Sequence, residues 1–173
     1  MHFPKSIVTR LAMNTIMEYL QEKPLFSGFD KLKHMKAACF VSLHSKKDGE
    51  ELLRGCIGTL APVEKSLYDE ICANARSAAF NDPRFPPLDK NELEDLIVSV
   101  DVLTPSEPIK SISALNPKIY GVIVEKDFRR GVLLPDLEGV NTAEEQVAIA
   151  RKKARILPEE KVNLYRFKVT RYY

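Results

Sequence analysis

The sequence carries almost no excess charge of either sign. Its 26 lysines and arginines stand against 24 aspartates and glutamates, a net charge of +2 over 173 residues, which gives little long-range pull on a polyanion or an acidic membrane. There is no interleaved basic and aromatic stripe either, so neither nucleic acid nor a membrane is an expected partner. Long apolar runs are also lacking. Met1-His2-Phe3-Pro4-Lys5 leads into an amphipathic stretch, which resembles neither a signal peptide nor a transmembrane helix, and the expected location is the cytoplasm. Cysteine is scarce: Cys39, Cys56 and Cys72 are an odd set without a Cys-x-x-Cys pair, which argues against a disulfide framework or a zinc knuckle and for reduced thiols. Gly-x-Gly-x-x-Gly, P-loop, His-Glu-x-x-His and EF-hand patterns are absent. No metal and no cofactor is implied.

What is present is a patterned globular chain. Hydrophobic residues make up 45%, enough for one domain, or two tightly joined subdomains, to enclose a core. Ile7, Val8, Leu11, Ile16 and Leu20 recur at helical spacing between Pro4 and Pro24 and predict an amphipathic helix over about Ser6 to Glu22. Ala37 to Leu43 and Glu51 to Leu60 predict a hairpin turning at Lys46-Lys47-Asp48-Gly49. Leu67, Ile71, Ala75 and Ala78 mark one face of a helix ending near Phe80. The prolines Pro83, Pro86 and Pro87 force a loop. A short helix follows it, opened by an Asp89/Glu92 capping box with Leu88 and Leu93 as its staple. Val98, Val100 and Val102 alternate with Ser99 and Asp101, the pattern of a half-buried strand from Leu96 to Leu103. Ile119 to Glu125 and Gly131 to Leu134 predict a second strand pair. A Thr142/Glu145 capping box opens a helix ending before Pro158, and Leu164 to Val169 forms a last strand. This irregular order points to an α+β fold with a mostly antiparallel sheet and flanking helices rather than a doubly wound parallel sheet.

Chemistry concentrates in Arg54-Gly55-Cys56-Ile57-Gly58. Two glycines inside a strand cost roughly 0.5–1 kcal/mol each relative to alanine, and glycine in a strand admits a ligand or another backbone, or marks a bulge. Arg54 shares a face with Cys56 if the strand is regular, where its guanidinium favours the thiolate, the nucleophilic form. Against this stands simple packing of Cys56, with the glycines only making room for a helix. Cys39 and Cys72 sit in apolar settings and read as core residues. A cysteine nucleophile normally needs a base. Of His2, His34 and His44, only His44 faces the strand carrying Cys56, and a one-residue slip in register would remove it. The stiff Asn81-to-Leu88 loop presents Asp82, Arg84 and Phe85, and Arg129-Arg130 adds a third basic site before Gly131. Converging arginines suit carboxylates or phosphates.

Leu53-Arg54-Gly55-Cys56-Ile57-Gly58-Thr59, then Ser77-Ala78-Ala79-Phe80-Asn81-Asp82-Pro83-Arg84-Phe85-Pro86-Pro87-Leu88, then Arg130-Gly131-Val132-Leu133-Leu134-Pro135 together resemble the AMMECR domain family, called AmmeMemoRadiSam system protein A in prokaryotes. The resemblance extends from about Cys39 to Phe167 and implies an α+β fold with a larger and a smaller subdomain and a cleft near the Arg-Gly-Cys segment. It implies no established reaction. It does imply a pathway shared with a radical S-adenosylmethionine protein and a Memo-like protein. By position, Arg54, Gly55, Cys56 and Gly58 match its signature, and Asp82, Arg84, Arg130 and Gly131 its other marked segments. One departure is clear: where many relatives have a cysteine followed by Lys-Ala-Gly in the last helix, this chain reads Arg151-Lys152-Lys153-Ala154-Arg155. The expected function is thus a small enzyme or enzyme component that binds an anionic small molecule, with Cys56 as the reactive thiol; the rival is a non-catalytic module presenting the same cleft to a partner protein.

Overall fold

A computed structural model describes residues 3–47 and 49–173; His2, and Asp48 of the expected turn, lie outside them. In chain order the elements are α1 (Ile7–Tyr19), α2 (Asp30–Lys33), β1 (Cys39–Lys47), β2 (Glu50–Gly58), α3 (Leu67–Phe80), β3 (Leu96–Leu103), β4 (Glu107–Ile109), β5 (Gly121–Lys126), β6 (Arg129–Leu133), α4 (Ala143–Lys153), β7 (Asn163–Phe167) and β8 (Val169–Tyr172). The chain divides into a larger unit, which runs to Leu103 and takes back Thr170–Tyr173, and a smaller one, Thr104–Val169. The architecture is α+β: two sheets, of order β2-β1-β3-β8 and β4-β7-β5-β6, with flanking helices. The strand pairs that position the candidate site are antiparallel.

In the larger unit, Ser6 caps α1 by accepting the Thr9 N–H, and Thr9 answers to form a capping box. The helix is not the one-sided stripe its sequence suggests. Thr9, Asn14 and Thr15 are buried along with Val8, Leu11, Met13 and Ile16. Asn14 makes this tolerable, accepting the N–H groups of Leu25 and Phe26 and donating to the Phe26 carbonyl, which ties the following loop over the helix.

β1 is central, and its register sets the two faces of the sheet. Val41 lies between Ile57 and Val100, and Leu43 between Gly55 and Val98; on the opposite face Ser42 lies between Cys56 and Ser99. Val41, Leu43, Val98 and Val100 share one core with Leu11 and Ile16 of α1 and Ile71, Ala75 and Ala78 of α3. Each fully buried aliphatic side chain there contributes about 1.5–3 kcal/mol. α3 has the predicted bounds, and the Asp89/Glu92 capping box is present, opening a single 3-10 turn at Lys90–Glu92 rather than an α-helix. β3 differs from the half-buried strand that its alternation predicts, because Ser99 and Asp101 are buried too. The charge of Asp101 is matched by a two-pronged pair with Arg171 of β8, at 2.7 and 2.8 Å.

The smaller unit has a core of Val122, Val124, Leu133, Val147 and Ala150 between the sheet and α4. Its helix opens with the predicted Thr142/Glu145 box. The single C-terminal strand expected over Leu164 to Val169 is instead interrupted at Lys168, which exchanges hydrogen bonds with Thr104. β7 therefore belongs to one sheet and β8 to the other.

Candidate functional site

The site begins with an irregularity in β2. Counting back from the hairpin turn, His44 lies opposite Leu53, but Leu43 lies opposite Gly55, so Arg54 is an extra residue bulged out of the ladder. One inserted residue reverses the face of every side chain beyond it. Without the bulge Cys56 would stand opposite Val41 and point at the helices. With it, Cys56 stands opposite Ser42 on the other face, and Gly55 and Ile57 turn inward. The bulge also removes the simple two-residue relation between Arg54 and Cys56. The Arg54 guanidinium goes to Glu92, with Nε and Nη2 at 2.7 and 2.9 Å from its two carboxylate oxygens. Arg54 is only 9% exposed, and its remaining nitrogen, Nη1, is buried with no hydrogen-bond acceptor.

Ser42 and His44 alternate onto the same face of β1, so the bulge brings Cys56 to the face that carries His44, one diagonal step along the ladder. The hydroxyl that meets the Cys56 sulfur is that of Ser42, donating at 3.1 Å, while His44 is paired with Leu53 farther along the strand.

Asp82 and Arg84 meet Cys56 through its backbone. β2 is the edge of its sheet, so the Cys56 N–H and C=O have no strand partner on that side. Asp82 Oδ2 accepts the N–H at 2.9 Å, and Arg84 Nη2 donates to the C=O at 3.1 Å. The two clip residues are joined to each other at 2.7 and 3.0 Å. Together they occupy the edge as a neighbouring strand would. The Arg84 guanidinium, helped by the backbone N–H groups of Cys56 and Arg84, holds the Asp82 carboxyl well below the usual carboxylate range. Arg54 and Arg84 also flank Phe85, with guanidinium carbons 5.9 and 5.4 Å from its ring centroid.

The two glycines are occupied by protein. A Cβ on Gly55 would collide with the backbone carbonyl of Ala78 in α3, and one on Gly58 with the Phe40 ring. The close approach inferred from the sequence is real, but what approaches is a helix backbone and an aromatic ring. Arg130 belongs to the smaller unit, where it pairs with Glu125 at 2.8 Å.

The three thiols differ in setting. Cys39 is fully buried, and desolvation pushes its thiol up to about 12. Burial likewise raises Cys72, whose sulfur accepts the Thr15 hydroxyl at 3.3 Å. Cys56 lies partly exposed on the opposite face of the sheet. Sequence reasoning did not single out Ser42 or Glu70, and it took Glu92 only as a cap. Glu70 is 1% exposed and accepts the N–H groups of Val63 and Glu64 and the Thr59 hydroxyl, shaping the loop that leaves β2. No periodic signal marks it. Among the described residues there is no cluster of histidine, cysteine and carboxylate able to hold a metal, and no helix long and apolar enough to cross a membrane.

A protein of Thermotoga maritima is 54% identical over 83% of this chain and 81% of its own length. A Clostridium acetobutylicum protein is 43% identical over 97% of this chain, which spans 36% of that protein. The crystal structure of an uncharacterised Pyrococcus horikoshii protein superposes with a TM-score of 0.80 at 32% identity, covering 95% of this chain and 88% of that one. With the AMMECR1 family model matching residues 9–172, this chain belongs to the AMMECR1 family.

Proposed function

We propose that this protein is a small cytoplasmic enzyme or enzyme component that binds an anionic small molecule beside β2 and uses Cys56 as its reactive thiol. The observation that carries the reading is Arg54 Nη1. A buried guanidinium nitrogen with no acceptor is a costly group to leave unsatisfied, and a carboxylate or phosphate oxygen satisfies it. The Cys56 backbone is pinned on its open edge by Asp82 and Arg84, which fixes the sulfur without covering it. Arg84, with its side chain 53% exposed, is the second group able to face an anion, and Gly55 and Gly58 act by letting the strand sit where it does. Arg130, in the smaller unit and paired with Glu125, is not part of this reading. A pathway shared with radical S-adenosylmethionine and Memo-like proteins rests on the family resemblance alone.

Native-state alkylation with iodoacetamide tests the proposal: Cys56 reacts well before Cys39 and Cys72, and bound phosphate or a substrate-like carboxylate slows it. Reaction of all three only on unfolding removes the nucleophile. The rival, a non-catalytic binding module, draws support from the pairing of both arginines with carboxylates, which leaves little net positive charge. It predicts that Cys56→Ser retains genetic function.

A further inference from the structure

The smaller unit carries a groove remote in sequence from the Cys56 segment. Its volume is about 620 Å³, within the range of small-molecule sites. Its apolar lining comes from Ile112, Val147, Ala148, Ile156, Leu157 and Pro158. Leu157 is 58% exposed despite being a large aliphatic. One wall is a face of α4: Glu144, Val147, Ala148, Arg151 and Lys152 recur in the i, i+3, i+4, i+7, i+8 pattern of one helix face. From Glu144 to Lys152 that wall is about 12 Å long at 1.5 Å per residue.

The ends of the groove differ in charge. Glu144 stands at one, and Arg151, Lys152 and Arg155 at the other. The basic residues are not equivalent. Arg151 is committed to the Leu157 and Glu160 carbonyls at 2.6 and 3.1 Å, and the neighbouring Lys153 to the Val132 carbonyl. The side chains of Lys152 and Arg155, which line the groove, make no hydrogen bond or ion pair among the described residues.

We propose that this groove binds an amphipathic carboxylate from solution: a medium-length acyl chain lying along Val147 and Ala148, with its carboxylate at Lys152 and Arg155. The apolar floor provides the attraction for a hydrocarbon chain. The two unpaired cations select an anionic head, and Glu144 repels that head from the other end, which fixes the direction of the chain. The site does not depend on Cys56.

Calorimetric titration of the full chain with decanoate, below its micelle-forming concentration, is the test, with decanol and decyltrimethylammonium as controls. The expected result is saturable one-to-one binding of decanoate, weaker binding of decanol and none of the ammonium compound. Ala148 is exposed, so Ala148→Trp fills the groove from its surface side and abolishes decanoate binding. A Lys152→Glu/Arg155→Glu double variant lowers decanoate affinity about tenfold while leaving decanol binding unchanged. Undiminished binding to folded Ala148→Trp, equal affinity for decanoate and decanol, or retention on anionic vesicles without uptake of decanoate from solution overturns the assignment.

Discussion

The carboxylate of Asp82 accepts the backbone N–H of Cys56 at 2.9 Å, across 26 residues of chain. An edge strand is thereby finished by a loop rather than by another strand, at the residue that carries the candidate thiol.

Asp82→Asn measures what this clip is worth. The ion pair with Arg84 is itself weak, because the arginine side chain is 53% exposed and exposed pairs contribute only about 0–1 kcal/mol. The larger loss is the charged acceptor on a buried backbone donor, and the expected destabilisation is about 1.5–3 kcal/mol in urea unfolding. A change below about 0.5 kcal/mol would mean that the edge is satisfied without Asp82. The pH dependence follows from the depressed Asp82 carboxyl. The folded state takes up this proton later than the unfolded chain, whose aspartates titrate near about 3.9. The stabilisation is therefore complete well above that value and is lost as pH falls below it toward the folded pKa. The difference in stability between wild type and Asp82→Asn should shrink over the same acid range.

Local patterns were legible in the sequence, and the bulge was not. The bounds of α3, the capping boxes at Asp89 and Thr142 and the length of β3 all follow from short-range spacing, and all are present. The inserted residue at Arg54 depends on which strand lies beside β2 and on what holds the guanidinium, namely Glu92, 38 residues later. That partner cannot be read from neighbours in sequence. Asp82 and Arg84 were recognisable as significant because proline stiffens their loop, yet their hold on the Cys56 backbone depends on the strand edge, which only tertiary structure defines. The burial of Ser99 and Asp101 was hidden for a similar reason: Arg171, 70 residues away, supplies the compensating charge.

Gly55→Ala and Gly58→Ala should both be severe. A methyl at Gly55 meets the Ala78 backbone carbonyl, which can move only with α3, and one at Gly58 meets the Phe40 ring and the Cys39 backbone carbonyl of β1. Overpacking costs about 1–3 kcal/mol and more where backbone must shift. We expect both substitutions to exceed that range, as read by denaturant midpoints at unchanged slope. A loss within the range at either position would show that the facing backbone yields readily there.

Cys39 provides an alkaline counterpart to Asp82. Burial raises its thiol from 9.0 to about 12, so the unfolded chain ionises first as pH rises. The stability linked to this group is fully present below about pH 9 and declines from there toward 12. Cys39→Ala leaves a cavity and is less stable at every pH, but its stability should fall less steeply than that of wild type above pH 9. Parallel slopes for the two proteins would place the alkaline transition elsewhere. The Asn74 amide, which reaches the Cys39 carbonyl at 3.0 Å and its sulfur at 3.5 Å, remains in both.

Glu70→Gln tests whether the loop leaving β2 is held by one buried carboxylate. Both N–H donors on its Oε2, from Val63 and Glu64 at 2.9 and 2.8 Å, need an acceptor, and the Thr59 hydroxyl occupies Oε1. A glutamine keeps both N–H groups on its carbonyl oxygen by turning its NH₂ toward the Thr59 hydroxyl, which accepts in place of donating, so what is lost is the charge on the acceptor, at a cost of about 1 kcal/mol. Because the loss is local, amide hydrogen exchange separates it from global unfolding: the Val63 and Glu64 amides should exchange faster by a larger factor than those of β1 and β3. Uniform acceleration across all of them would make Glu70 a general contributor to the core, and unchanged protection at Val63 and Glu64 would show that the loop keeps its shape without the carboxylate.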